Sequence, residues 1–179
     1  MSSSKLKALA VALTFAAGAG LVSSCTVQPM YGSGGAMLGP QSSALSTVSV
    51  EAVNTREAQQ VRNHLIFLFG GGSGEPANPA YKLRLGVTSQ TQSSASVQPA
   101  VAIEREPTAG RVTMMSNYEL IDLATGQVIA SGTRQANASF DKSRQEFAIV
   151  RAERDAQDRA ARELAEYLRL AVAQQLARR

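Results

Sequence analysis

One histidine, one cysteine, two close pairs of glutamates and a run of glycines are the residues whose types and spacing could do chemistry in this chain of 179 residues. His64 would serve as a general base only beside a nucleophile or an orienting carboxylate, and no such partner is evident in the sequence. It stands next to Leu65 in a helical pattern, where packing or exposure accounts for it. Glu104/Glu106 and Glu163/Glu166 have acid/base spacing, but the first pair is flanked by Pro99 and Pro107 and the second sits on a charged helix. Neither surrounding is dry enough to tune a carboxyl pKa. Gly70-Gly71-Gly72-Ser73-Gly74 follows a helix instead of a strand and lacks the Gly-Lys-Ser/Thr ending of a phosphate cradle, so it reads as a helix stop and loop. Zinc spacings and a Gly-x-Ser-x-Gly elbow are missing, so neither a catalytic centre nor a metal or cofactor site is expected. Four arginines, Arg84, Arg105, Arg111 and Arg134, could hold phosphates if the fold converges them; otherwise they are ordinary residues of a solvated strand face. Tyr81 and Tyr118 fit core or sheet-edge packing better than a stacking platform.

Composition sets the frame. At 44% hydrophobic and 18% charged residues the chain is of the globular class. Its length suits one domain, and its single cysteine excludes an internal disulfide. Eighteen basic residues oppose 14 acidic ones, but Lys5 and Lys7 lie in a segment read below as removed, which leaves 16 against 14, a net +2. So slight an excess does not call for a nucleic-acid partner.

Residues 1–24 carry the parts of an export signal: Lys5 and Lys7, an apolar run from Ala8 to Ala17, and small residues up to Ser24. The run is too short to span a bilayer permanently. Leu21-Val22-Ser23-Ser24-Cys25 resembles the lipobox of bacterial lipoproteins, with Val22 where Leu is usual. That resemblance implies cleavage before Cys25, diacylation of its thiol, and acylation of the new amino group with palmitate-type chains. Each buried CH₂ contributes about 0.8 kcal/mol, so two or three chains fasten a domain to a membrane where one would not. Thr26, in place of Asp, resembles the signal that releases such lipoproteins to the outer membrane. In an exported bacterial lipoprotein the Asn137-Ala138-Ser139 match to a glycosylation acceptor is a chance one.

Residues 25–44, rich in Ser, Gly and Pro, form a tether, and 45–179 form the domain. Ser46–Val53 alternates as a strand with Val48, Val50 and Ala52 on one side. Asn54 caps a helix three residues before Glu57, with Ala58, Val61, Leu65 and Leu68 on its inner face and Gly70-Gly71-Gly72 stopping it. Tyr81, Leu83, Leu85 and Val87 alternate with polar residues in the clearest strand of the chain. Thr91–Gly110 is expected to be a mobile, irregular hairpin tip. Arg111–Leu123, with Val112, Met114, Tyr118 and Leu120 on one face, turns at Ala124-Thr125-Gly126 into a strand over Gln127–Ala138. From about Gln145 to Ala177 a helix carries the stripe Ala156, Ala160, Leu164, Tyr167, Ala171 and Leu176, with Asp155/Arg159 and Asp158/Arg162 as solvated pairs. The order β-α-β-β-β-α predicts an α+β two-layer sandwich, with two helices packed on one face of a four-stranded mixed sheet.

Taken in order, the lipobox cysteine, Pro29-Met30-Tyr31-Gly32, Val61-Arg62-Asn63-His64-Leu65, Tyr81-Lys82-Leu83, Tyr118-Glu119-Leu120-Ile121-Asp122 and Arg159-Ala160-Ala161 resemble the LPS-assembly lipoprotein LptE family, in its alphaproteobacterial form. The resemblance implies a non-enzymatic, lipid-anchored protein on the periplasmic face of the outer membrane. It would sit in the lumen of the LptD β-barrel, assist that barrel's assembly, and take part in lipopolysaccharide transport, with possible direct lipopolysaccharide binding. Two other readings share parts of the pattern. An auxiliary lipoprotein of a phospholipid-transport ABC system would have the same anchor, and a periplasmic hydrolase would need a nucleophile and base that the sequence lacks.

Overall fold

The computed structural model describes residues 44–94 and 109–178. The export segment, the tether with Cys25, and Glu104, Arg105 and Glu106 lie outside the described residues.

Alternation of apolar and polar residues dictates the sheet. Its strands are β1 (Val48–Val50), β2 (Tyr81–Ser94), β3 (Ala109–Asp122) and β4 (Val128–Asp141), side by side in that order. β1 runs parallel to β2, and the other neighbours are antiparallel. Between β1 and β2 lies α1 (Arg56–Gly70), and after β4 comes α2 (Glu146–Leu176). This is the expected mixed sheet with both helices on one face. Val112, Met114, Ser116, Tyr118 and Leu120 of β3 turn inward and are buried, while the residues between them face away from the helices.

The inner surface is shaped by residue size. Gly110 lies opposite Phe140, and Gly132 opposite Tyr118, so two aromatic rings each lie over a glycine across the strands. A methyl group at Gly110 would come within 2.4 Å of the Phe140 ring. Alanines of α2 (Ala156, Ala160, Ala161, Ala165, Ala171) are buried, and their small side chains let a helix about 46 Å long settle close to the sheet. Leu65, Leu83, Leu164 and Leu168 fill the space between the layers with no exposed surface. Each such side chain contributes about 1.5–3 kcal/mol by leaving water.

Several boundaries differ from those the sequence predicts. β1 has three residues instead of eight, because Glu51 makes the last ladder bond, to Leu83 O at 2.9 Å, and the chain then leaves for α1. Thr55, not Asn54, caps α1, its hydroxyl accepting from Ala58 N at 3.2 Å, and Phe69 joins the buried face while Leu68 is only partly covered. Gly71 ends α1 with φ 57°, a conformation that glycine adopts without strain. Part of the expected mobile tip is strand: β2 reaches Ser94 and β3 starts at Ala109, held by main-chain pairing where apolar alternation has ceased. Residues 95–108 are outside the described set. Tyr167 is 40% exposed, its hydroxyl donating to Glu163, so it leaves the predicted stripe. Asp158 pairs with Arg56 of α1 at 2.9 Å, an interhelix bond in place of the predicted bond along α2 to Arg162, whereas Asp155–Arg159 forms as expected at 2.8 Å.

Replacing Leu164 with Ala should therefore cost about 2–5 kcal/mol of stability in urea denaturation. A loss below about 1 kcal/mol would contradict the packing described.

Candidate interaction surface

Among the described residues the helices cover one face of the sheet and leave the other open. Its middle is a carpet of small and amide side chains: Gly86, Thr88, Gln90 and Gln92 on β2, Thr113, Met115 and Asn117 on β3, and Thr133, Gln135 and Asn137 on β4. Thr113 donates to Asn137 at 2.8 Å and Thr133 to Asn117 at 2.7 Å, so cross-strand hydrogen bonds hold these side chains flat. None of these ten is charged.

Charge collects at one end of that face. Arg84 bridges three strands, with Nε 2.9 Å from Glu51 of the segment leaving β1 and Nη1 3.1 Å from Glu119 of β3. Glu51 foremost, by hydrogen bond and charge, and Glu119 after it hold the guanidinium above its ordinary pKa. The side chains are half exposed, so the ladder orders the surface more than it stabilises the fold.

The four arginines singled out in the sequence are not brought together. Arg84 stands in this ladder, and Arg111 is on the same face but eight residues along β3 from Glu119, about 26 Å away. Arg134 is on the opposite, helix-covered face, opposite Ser116, with its guanidinium 5.8 Å from the centroid of the Tyr118 ring. Arg105 is outside the described residues. His64 is half-buried in α1. Glu163 and Glu166 are exposed on α2, the first accepting from Tyr167, whose phenol pKa it raises by hydrogen bond and charge, the second 3.6 Å from Arg169. Among the described residues no cluster of His, Cys, Asp and Glu could hold a metal ion.

What sequence reasoning missed is how the strand edges are closed. On the outer edge of β1, Val50 N–H donates to Glu75 Oε1 at 3.0 Å and Val50 C=O accepts from Arg62 Nε at 3.1 Å. Arg62 Nη2 and Glu75 Oε2, 2.6 Å apart, join the two caps. On the outer edge of β4, Thr133 C=O accepts from Arg134 Nη1 at 2.8 Å and Ser139 C=O from Arg159 Nη2 at 2.9 Å. The one available signal was the charge of residues near strands, which says nothing about which carbonyl each will reach.

Residues 45–172 match the family described as LptE: Lipopolysaccharide-assembly. A lipoprotein of Caulobacter crescentus CB15 is similar at 27% identity and TM-score 0.62, over 78% of this chain and 96% of that one. Rare lipoprotein B of Shewanella oneidensis (12% identity, TM-score 0.53, 73% and 95% covered) and a minor lipoprotein of Acinetobacter baumannii (16%, 0.51, 70% and 87%) share the fold. No curated protein sequence matches.

Because Arg62 and Glu75 close one edge together, Arg62→Ala and Glu75→Ala should be non-additive in a double-mutant cycle, with a coupling of about 0.5–3 kcal/mol in chemical denaturation. Additive losses would mean that the two caps act separately.

Proposed function

The chain belongs to the LptE family of lipopolysaccharide-assembly proteins, and from that membership we propose that it is the lipid-anchored, non-catalytic partner of an LptD-type outer-membrane β-barrel. It occupies the barrel lumen from the periplasmic side, assists assembly of the barrel, and takes part in moving lipopolysaccharide to the outer leaflet. The observation that carries this reading is the family match over nearly the whole domain. The open sheet face supports it on physical grounds. Lumens of wide barrels are polar, and a strip of Thr, Asn, Gln and Gly around Met115, without charge, meets such a wall without burying unpaired ions. A domain of about 135 residues has a radius of gyration near 14 Å, a size that a large barrel can enclose.

Anchoring falls to Cys25. Acyl chains there keep the domain beside the membrane that holds its partner, and the tether behind it supplies reach without imposing an orientation.

Purification of the protein from detergent-solubilised envelopes should recover a large β-barrel protein in stoichiometric amount. Recovery with inner-membrane transporter components instead would reject the barrel reading. Separately, Cys25→Ala should abolish acylation, seen as loss of the acyl mass on the first mature residue and release from the membrane fraction. A mature wild-type protein with an unmodified residue 25 would refute the anchor.

A further inference from the structure

Among the described residues three stretches of strand edge lack a neighbouring strand, and on two of them charged side chains reach main-chain groups. Val50 on β1 is closed by Glu75 and Arg62, and Thr133 and Ser139 on β4 by Arg134 and Arg159. The third is the part of β2 beyond β1. Since β1 ends at Val50 opposite Leu83, β2 continues to Ser94 with β3 on one side only. Leu83 C=O points toward β1, where it accepts from Glu51 N–H. Main-chain direction alternates along a strand, so Leu85, Val87, Ser89, Thr91 and Ser93 turn their N–H and C=O groups to that same side. Leu85 to Ser94 contains no charged residue and no proline, the usual devices that protect an edge. Arg84, tied to Glu51, marks its lower limit.

Beside this edge lies apolar surface that the described residues leave exposed. Arg56, the first residue of α1, reaches Gln157 and Asp158 of α2. From Glu146 to Ala156 α2 extends about 16 Å beyond that contact. Val150 stands two turns before Gln157, and Phe147 four turns before the buried Ala161, so both continue the stripe that faces α1. They are 43% and 88% exposed. Thr91 donates to Glu153 at 2.7 Å, so a side chain of this stretch of α2, whose backbone packs on β3 and β4, reaches across to β2. A strand edge without charge of its own and an apolar stripe thus border one notch, with Lys142 Nζ on Ser93 Oγ at its far end.

We propose that this notch receives an extended segment of the barrel partner by strand addition to the β2 edge, with apolar side chains at alternate positions lying on Phe147 and Val150. The proposal rests on the barrel reading above. A peptide backbone is the ligand that presents N–H and C=O groups at the two-residue repeat of Leu85 to Ser93. On the outward side the added strand would extend the uncharged carpet of Thr88, Gln90 and Gln92, so its outward residues are polar and uncharged. A second copy of the chain fits poorly. Two β2 edges placed antiparallel would offer mainly Ser89, Thr91 and Ser93 to the apolar stripe. The chain's own tether contains Pro29, Pro40 and four glycines between Gly32 and Gly39, a composition hostile to strand pairing.

The test places a photo-crosslinking amino acid at Ser93 in the full lipidated chain, in cells. Crosslinking to the barrel is expected. Ser89→Pro, which removes an N–H aimed away from β3, should cut the yield about tenfold. Ser89→Lys, an edge charge that spares the hairpin ladder and the Thr91–Glu153 bond, should do the same, and Gln135→Pro on β4 should leave the yield unchanged. Crosslinks from Ser93 to a second copy or within the same chain, or a yield indifferent to both β2 variants, would overturn strand addition. If the barrel copurifies with the wild-type protein while Ser93 stays silent, strand addition fails and the barrel reading survives. Absence of the barrel from the wild-type preparation defeats both.

Discussion

The structure depends on covering one side of a long three-stranded meander. β2, β3 and β4 are each 14 residues long, and an isolated sheet of that kind would present a broad apolar face to water. α1, with 15 residues, covers only part of it, so α2 has to be 31 residues long to cover the rest. Its alanines let it lie close to strands whose inner positions twice set a ring opposite a glycine. Stability is concentrated in that single seam, and the opposite face contributes little burial. That face is consequently free to be specified by what it meets.

A single-residue irregularity decides which groups share a face. Ile121 pairs with Val128, yet Leu120 pairs with Ala130, so β4 carries one extra residue beside the turn. Without that bulge Arg134 would lie on the open side with Arg84 and Arg111, and Ala136, Ala138 and Phe140 would point to solvent. With it, the three apolar residues enter the core and Arg134 goes with them to the helix side, where Tyr118 receives its guanidinium. The bulge therefore buries the apolar side of β4 at the expense of a converged basic patch.

This explains what could be read from sequence and what could not. Alternation over Tyr81–Val87 and Val112–Leu120 is a local signal, and it located the strands and their inner faces correctly. Glycines after Leu68 and the Ala-Thr-Gly turn likewise act on their neighbours alone. The length of β1 was illegible because its outer edge is closed by Glu75, 25 residues further on. Extension of β2 through Ser89, Thr91 and Ser93 was illegible because their partner, not their own pattern, holds them in the sheet. Convergence of the arginines required the register across two hairpins, and no count of residue types contains a bulge.

Edges and faces then divide the labour of the molecule. A four-stranded open sheet exposes main-chain groups at both sides, and unprotected edges invite pairing with whatever chain is near. Capping Val50, Thr133 and Ser139 with side chains that also make ion pairs or ring contacts closes part of that surface. Among the described residues, the part of β2 beyond Leu83 is an edge that no charged side chain reaches at its main chain, and it lies beside an exposed apolar stripe of α2. Burial of that stripe and satisfaction of those main-chain groups favour the same occupant, which is why the notch is better understood as a place for a polypeptide than as a defect of a shortened first strand.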